Sequence, residues 1–320
     1  PESLPEPLRQ FMSGEIEFCL EVAAEMVGFA QELEDFFRNL PEHLIDEEEP
    51  IDEDYIPLGF EDLSPDFQTP ENKAQYMMYE AWEEEDMFRG EMLALQALRI
   101  DPDCADAYNY LALLSESPQE SAELYEKGIE TGKKAIVNSE WDLEEAKGHY
   151  WGILETRPYM RAKAGLAQCL WEMGDSEQAI AHLQEMLELN PGDNQGVRYL
   201  LMGWLLEEGC YKAAHDLFEK YKNEYSAYWK YTAALLSFLD YGDCDASRRA
   251  LSDAFEMNEY VPKYLLDRRK IPRDRLPHYS PGEDSEAVMY AQENDLNWVN
   301  IKNARKWLKK QWLHYRTGIE

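Results

Sequence analysis

Similar residues recur in this sequence at a spacing of 34 residues, and this periodicity constrains the fold more than any other feature. Small or apolar residues occupy corresponding places in three successive units: Leu166, Leu200 and Ala234; Leu170, Trp204 and Phe238; Ala179, Ala213 and Ser247; Leu183, Leu217 and Leu251. Turn residues separate the halves of the units at Gly174-Asp175, Glu208-Gly209 and Gly242-Asp243. Each unit therefore predicts a helix, a tight turn and a second helix, and their repetition predicts a stack of helical hairpins.

The repeat pattern resembles the tetratricopeptide repeat, in which small residues let the two helices of a hairpin pack closely. The first unit matches best, because "LNPGD" closes it at the family's proline position. An earlier unit ends in "ALQALRIDPDCADAYNYLALL". We therefore predict an all-α, tetratricopeptide-like helical-hairpin solenoid of about five hairpins in residues 75–260, with an insertion near residues 119–158.

Further regions flank the predicted solenoid. Residues 1–40 contain an amphipathic helix, because apolar residues recur every three or four positions from Ile16 to Phe37. Residues 41–74 are rich in acid and proline and predict a linker or an extended strap. Its "YIPLGFEDL" stretch either docks its aromatic residues on the solenoid or is a plain linker. Residues 261–320 predict a helical cap that closes the last repeat.

Four segments carry a second resemblance. They are "VPKYLL" and "DSEAVMYA" near the C-terminus, and "ETRPYMRAKAGLAQCLW" and "NPGDNQGVRYLL" within the repeats. They resemble the suppressor-of-tumorigenicity-seven family and its bacterial relatives. The eukaryotic members of that family are membrane anchored, whereas this sequence contains no apolar run of about 20 residues that would form such an anchor. The family has no established reaction, so the resemblance informs the fold more than the function.

Composition and missing motifs restrict the function. A net charge of −34 repels nucleic-acid phosphates, so we expect protein or peptide partners, no nucleic acid and no membrane contact by the main body. The five cysteines form no CxxC pair, which predicts reduced thiols in the cytoplasm. The six histidines show no HExxH or HxxxH spacing, and no phosphate-binding loop or GxSxG sequence occurs. We therefore predict no enzyme activity, no cofactor and no metal site.

The concave face of the predicted solenoid is the candidate binding site. In a tetratricopeptide hairpin the first helix lines this face, and residues one turn apart along it point into the groove. These positions predict a set of groove residues with guanidinium, amide, thioether and indole groups: Arg161, Gln168, Trp171, Gln195, Arg198, Met202 and Trp229. The set favours a peptide with acidic or carboxylate ends, held by a non-enzymatic interaction scaffold. Alternatively, some of these residues pack against the N-terminal helix or the insertion.

The stretch "HYWGILETRPYMRAKAG" at residues 149–165 supports a competing hypothesis, an enzyme of unrecognised type. That hypothesis requires a deep pocket around a buried His149 or Glu155. In the simpler interpretation, Thr156 or Arg157 caps a helix and Pro158 occupies its first turn.

The last predicted helix supports another alternative, a peripheral membrane-associated adaptor. An apolar stripe runs from Trp298 to Trp312, and a basic face includes Lys302, Lys306 and Lys309. Such a helix either caps the solenoid or binds an acidic partner or a membrane surface.

Overall fold

The computed structural model describes residues 55–57, 59–65, 68–138, 146–274, 276 and 278–318. Contacts divide the chain into Pro1–Asp52 and Glu53–Glu320, and every described residue belongs to the second unit. Within the described ranges the chain forms helices and turns without any β-strand, which confirms the all-α prediction. The amphipathic helix predicted in residues 1–40 lies outside the described residues.

Five helical hairpins follow one another along the chain, as the repeat pattern predicts. They are α1 (Pro70–Glu83) with α2 (Met87–Ile100), α3 (Ala105–Leu114) with α4 (Pro118–Asn138), α5 (Arg157–Glu172) with α6 (Ser176–Leu189), α7 (Val197–Glu207) with α8 (Tyr211–Lys220), and α9 (Ala227–Tyr241) with α10 (Asp245–Met257). Each hairpin packs against the next one along the chain. The described part is therefore a helical-repeat solenoid.

The turns within the last three hairpins depend on glycine. Gly174, Gly209 and Gly242 have φ values of 85°, 68° and 68°, which place them in a region that residues with a Cβ atom rarely adopt. These glycines follow or end the first helix of their hairpins, where a left-handed residue reverses the chain within a few residues. The sequence positions of the turns are thereby confirmed.

The start of α5 corrects one detail of the sequence interpretation. Pro158 occupies the first turn of the helix, as predicted. Thr156 precedes the helix but its side chain makes no capping hydrogen bond. Its hydroxyl instead donates to the carbonyl oxygens of Tyr150 and Ile153, so it fixes the preceding loop.

Helices of neighbouring hairpins approach closely where a glycine faces a large ring. Gly165 of α5 lies against Tyr125 of α4, and a Cβ atom added at Gly165 would lie 2.2 Å from the Cζ atom of that ring. Gly90 of α2 lies against Tyr110 of α3 in the same way. Such contacts explain why small residues recur in the repeats, since a side chain there would force the helices apart.

The described residues of the predicted insertion are mostly helical. Its first part is α4, the second helix of the second hairpin, which packs extensively on α5. The irregular part that the structure describes covers residues 146–156 and contains two short 3₁₀ turns, Tyr150–Gly152 and Leu154–Thr156. A long second helix thus displaces the start of the third hairpin along the sequence without breaking the stack.

The described part of the acidic strap contacts the first hairpin. The Tyr55 hydroxyl donates to Glu80 of α1, and the Phe60 ring meets the Tyr76 ring edge-to-face at a centroid distance of 5.9 Å. Pro57 is buried. Of the two alternatives for "YIPLGFEDL", the structure therefore shows the docked one.

Three helices complete the chain: α11 (Val261–Leu265), α12 (Asp284–Asn300) and α13 (Ala304–Thr317). The predicted last helix is interrupted at Asn303, whose φ of 68° is left-handed, so the apolar stripe is divided between α12 and α13. The Trp307 ring stacks on Phe238 of α9 at 4.4 Å, and the Trp312 ring meets Phe255 of α10 at 5.0 Å. Helix α13 thus caps the last hairpin, as predicted.

Helix α12 occupies the concave face of the last two hairpins. It packs on their first helices, α7 and α9. Glu286 accepts a hydrogen bond from the backbone N–H of Ala227, and Tyr290 meets Tyr228 edge-to-face at 5.2 Å. Trp298 is fully buried. The concave side of this part of the solenoid is therefore partly filled by the chain's own C-terminal region.

Candidate functional site

A groove lies between α5 and α7, the first helices of the third and fourth hairpins, and α12. It consists of two cavities of about 540 and about 580 Å³. Tyr199, Leu200 and Glu293 line both cavities, so the two form one continuous surface, which we call the central groove. Cavities of this size take several side chains of a protein segment.

The structure brings four of the predicted groove residues to this surface. Gln168, Gln195 and Arg198 line the cavity of about 540 Å³, which we call the amide end. Trp171 lines the cavity of about 580 Å³, which we call the indole end. Gln168 is exposed and Trp171 is half-buried.

Arg198 is held inside the protein by carboxylates. Its Nη1 donates to Asp193 Oδ2 at 2.8 Å, and its Nη2 donates to Glu224 Oε2 at 2.7 Å and to the Tyr199 hydroxyl at 2.9 Å. The guanidinium also lies 4.4 Å from the Tyr199 ring centroid and 5.5 Å from that of Tyr221. The Arg198 side chain is 14% exposed. It therefore forms part of the groove wall and is not positioned to pair with a ligand carboxylate.

The start of α7 explains how Arg198 is positioned. Asp193 accepts hydrogen bonds from the backbone N–H groups of Val197 at 2.8 Å and Arg198 at 3.0 Å, which are otherwise unpaired in a first helical turn. Burial raises the pKa of the Asp193 carboxyl, although these N–H groups and the Arg198 charge oppose that shift. Burial also raises the pKa of Tyr199 to about 12, so its hydroxyl remains a donor to Glu224.

The indole end is an apolar slot. The Trp171 and Trp204 rings stack with centroids 4.5 Å apart and an interplanar angle of 3°. Leu200, Ile271 and Pro272 line the same cavity. One face of the Trp171 indole is therefore covered by Trp204, and the cavity adjoins the remaining surface of the ring.

The crossover between α11 and α12 forms the outer wall of the indole end. The Gln292 side-chain amide on α12 donates to the carbonyl oxygens of Pro272 and Asp274, both at 3.0 Å. Arg268 Nε lies 2.6 Å from the Asp295 carboxylate, whose side chain is 5% exposed. These contacts fix the crossover against α12.

Arg161 lies away from the central groove. Its Nε donates to Asp106 Oδ1 at 2.9 Å and its Nη2 to Asp106 Oδ2. Gln75 of α1 also donates to this carboxylate, at 2.9 Å, and Asn109 does so at 3.1 Å. Arg161 lines a separate cavity of about 530 Å³ on the first three hairpins, where it links α5 to α3 and, through Asp106, to α1.

Met202 and Trp229 are core residues. Each is 2% exposed. Trp229 packs between Phe218, at a centroid distance of 5.9 Å, and Tyr199, at 5.8 Å. The repeat register placed both residues on the groove side of their helices, but neighbouring helices cover them. We therefore remove these two residues from the candidate contact set, and ligand contact by Gln168, Trp171 and Gln195 stays a prediction.

The catalytic hypothesis for residues 149–161 lacks the burial that it requires. His149 and Glu155 are both exposed. In the described ranges, no group of three or more His, Cys, Asp or Glu side chains could hold a metal ion. The described cysteines Cys104, Cys169, Cys210 and Cys244 are free thiols. No helix in this part of the chain is long and apolar enough to span a membrane.

Several groove residues could not be identified from the repeat pattern. Met289 and Glu293 of α12 and Tyr279 of the crossover line the amide end, yet they follow the repeats in sequence. The only signal available was the helical cap predicted in residues 261–320. That signal indicates a helix but not the surface on which it packs.

Comparison with known proteins identifies relatives of this chain. The Suppressor of tumorigenicity 7 protein-like of Bos taurus is 29% identical over 259 residues, which cover 74% of this chain and 46% of that protein. The Protein ST7 homolog of Drosophila melanogaster is 28% identical over 269 residues, which cover 75% of this chain and 49% of that protein. The alignments thus span less than half of each of these curated relatives.

A solved structure and a family model also match. The structure is the crystal structure of YrrB, described as a TPR protein with an unusual peptide-binding site; it matches with a TM-score of 0.40 and 18% identity, over 58% of this chain and 84% of that chain. The family model described as ST7 protein matches residues 66–317, which include all the helices described above. The chain therefore belongs to the ST7 protein family.

Proposed function

We propose that this protein is a non-enzymatic interaction scaffold that binds a segment of a partner protein in the central groove. One observation carries the proposal. Amide side chains and an apolar slot, contributed by three helices and by the segments that precede α7 and α12, border one continuous surface of two cavities. Surfaces on which convergent polar groups adjoin an apolar pocket are typical of binding sites.

The chemistry of the groove suits a polypeptide. Gln168 and Gln195 offer both donors and acceptors, which match the alternating N–H and C=O groups of a peptide backbone. Trp171 and Leu200 offer apolar contact for a side chain of the same segment. A ligand that used both ends would bury apolar surface at the indole end and form backbone hydrogen bonds at the amide end.

Two further observations support a binding role without catalysis in a reducing compartment. Several ionisable side chains at the groove are engaged in structural contacts: Arg198 with Asp193 and Glu224, and Arg268 with Asp295. Groups held in this way are poor candidates for proton transfer. The free thiols among the described residues favour the cytoplasm as the site of action.

Site-specific photocrosslinking tests the proposal. Photoreactive benzoylphenylalanine is placed at Gln168 in the groove or at exposed Gln184 on α6 as a matched control, in cells of the native host. We expect position 168 to capture a defined protein that position 184 does not, and Leu200→Gln to reduce the capture without unfolding the chain. Equal capture at both positions, or capture that Leu200→Gln leaves intact, contradicts the proposal.

A further inference from the structure

One face of α5 lines three cavities in succession. The lining residues recur every three or four positions: Arg157 and Arg161 at the cavity of about 530 Å³, Ala164 and Gln168 at the amide end, and Trp171 at the indole end. This spacing places all five residues on the same side of the helix. The three cavities therefore follow one another along α5.

The cavity of about 530 Å³, which we call the strap end, begins one helical turn before the amide end. Arg161 lies at this boundary. Its guanidinium is bound to Asp106 of α3, whose side chain is 1% exposed, so Arg161 forms part of the cavity floor between α3 and α5. A ligand that continues from the amide end into the strap end thus passes over an ion pair that is already formed.

The strap end offers exposed apolar surface. Tyr79 of α1 is 47% exposed and Leu154, in the 3₁₀ turn before α5, is 60% exposed, and both line this cavity. Tyr76 of α1 and Leu63 of the strap line it as well and are half-buried. An aromatic or aliphatic side chain that covered these residues would remove apolar surface from water on both sides of the contact. The strap end therefore complements an apolar anchor, as the indole end does.

The two apolar ends are separated by a length that an extended polypeptide spans. From Arg157 to Trp171, helix α5 rises about 21 Å, at about 1.5 Å per residue. An extended segment advances about 3.3 Å per residue, so about six residues cover this length. A helical segment of six residues would cover only about 9 Å and would not reach both ends. The geometry therefore favours an extended ligand.

We infer that the partner segment is extended and that it continues from the central groove along α5 into the strap end. One apolar side chain of the segment lies against Tyr79 and Leu154, and a second lies against Trp171, about six residues away. The backbone between them passes Gln168. This inference rests on the proposed function and adds the conformation of the partner segment and the spacing of its apolar anchors.

Photocrosslinking at the strap end tests the inference. Benzoylphenylalanine is placed at Leu154, at Gln168, or at Leu313 of α13, a control leucine that is 55% exposed and lines neither the central groove nor the strap end. We expect positions 154 and 168 to capture the same protein in cells of the native host, and position 313 not to capture it. The two crosslinked sites should lie in one segment of that protein, within about eight residues of each other. Leu200→Gln should reduce the capture at both positions, and Glu188→Lys, exposed on α6 outside the three cavities, should reduce neither.

A fluorescently labelled synthetic peptide of the captured segment then measures the contribution of the strap end, by anisotropy. Tyr79→Ala should weaken its binding about fivefold, because the apolar contact with the ring is lost. Tyr211→Ala on α8, where the tyrosine is 38% exposed and lines none of the three cavities, should leave the affinity unchanged. A peptide shortened at the end that reaches position 154 should also bind about fivefold more weakly, and Tyr79→Ala should not weaken it further.

The results separate this inference from the proposed function. The extension is overturned if position 154 captures nothing, a second copy of this chain, or a different protein from that at position 168. A peptide that binds Tyr79→Ala as tightly as the wild type overturns it too. Each of these results leaves the scaffold proposal standing. Failure of position 168 to capture any protein in a manner that depends on Leu200 contradicts both.

Discussion

The ion pair between Arg161 and Asp106 provides the sharpest test of how the first three hairpins are held together. The Asp106 side chain is 1% exposed and the Arg161 side chain is 32% exposed. In the Arg161→Ala variant, Asp106 keeps its hydrogen bonds from Gln75 and Asn109 but loses its only neutralising charge in the described structure. The carboxylate then stays buried and uncompensated.

Removing one partner of a buried ion pair costs about 3–5 kcal/mol. Arg161 is partly exposed, so water screens part of its charge, and the cavity beside it lets water approach the carboxylate. We therefore expect Arg161→Ala to lower the free energy of unfolding by about 2–3 kcal/mol. Adding Asp106→Asn should recover part of this loss, because the buried charge is then removed.

Urea denaturation followed by circular dichroism measures this loss. The control is Arg89→Ala, which breaks an ion pair with Glu84 whose side chains are 57% and 28% exposed. That variant should lose less than about 1 kcal/mol. The reasoning is refuted if Arg161→Ala costs no more than Arg89→Ala. Any effect of Arg161→Ala on partner binding must be compared with this change in stability.

Three other variants test the packing and the electrostatics of the repeats. Gly165→Ala should lower the free energy of unfolding by about 1–3 kcal/mol in urea denaturation, because the added methyl group overlaps the Tyr125 ring. Trp307→Ala should lower the free energy of unfolding by about 3–5 kcal/mol in the same assay, because it leaves a cavity where the cap packs on the last hairpin. Burial and the charge of Lys163 lower the pKa of His182 below its ordinary 6.5, so the unfolded chain binds the extra proton more readily. Stability should therefore fall as pH drops from about 7 through 6.5, and His182→Gln should reduce that fall, as urea midpoints at several pH values would show.

Local features of the fold were predictable from the sequence. The turns at Gly174, Gly209 and Gly242 follow from single residues that tolerate positive φ, and the helices follow from a regular spacing of apolar residues. Pro158 marked the start of α5 correctly because its fixed negative φ and missing N–H suit the first turn of a helix. These signals depend on the conformation of a few consecutive residues.

The candidate site was predictable only in part, because its properties depend on contacts between distant residues. The repeat register found Gln168, Trp171 and Gln195 at the groove. It could not show that Arg161 pairs with Asp106, which is 55 residues away in the sequence. The packing of α12 on the concave face likewise depends on complementary surfaces, which no local pattern encodes.

The break between α12 and α13 has a similar explanation. The apolar stripe from Trp298 to Trp312 continues across the break, because Ile301 and Ala304 are buried as the stripe requires. Periodicity alone therefore predicted one helix. The left-handed conformation at Asn303 is one that asparagine tolerates, but the sequence does not require it.

The central claim is that the groove between α5, α7 and α12 binds a segment of a partner protein. The most direct test is the dissociation constant of the protein captured at position 168, measured for the wild type, Leu200→Gln and Glu188→Lys. Leu200 lines both cavities, and loss of its apolar contact should weaken binding about tenfold. Glu188→Lys should bind as the wild type does. Equal affinity of the wild type and a folded Leu200→Gln chain contradicts the claim.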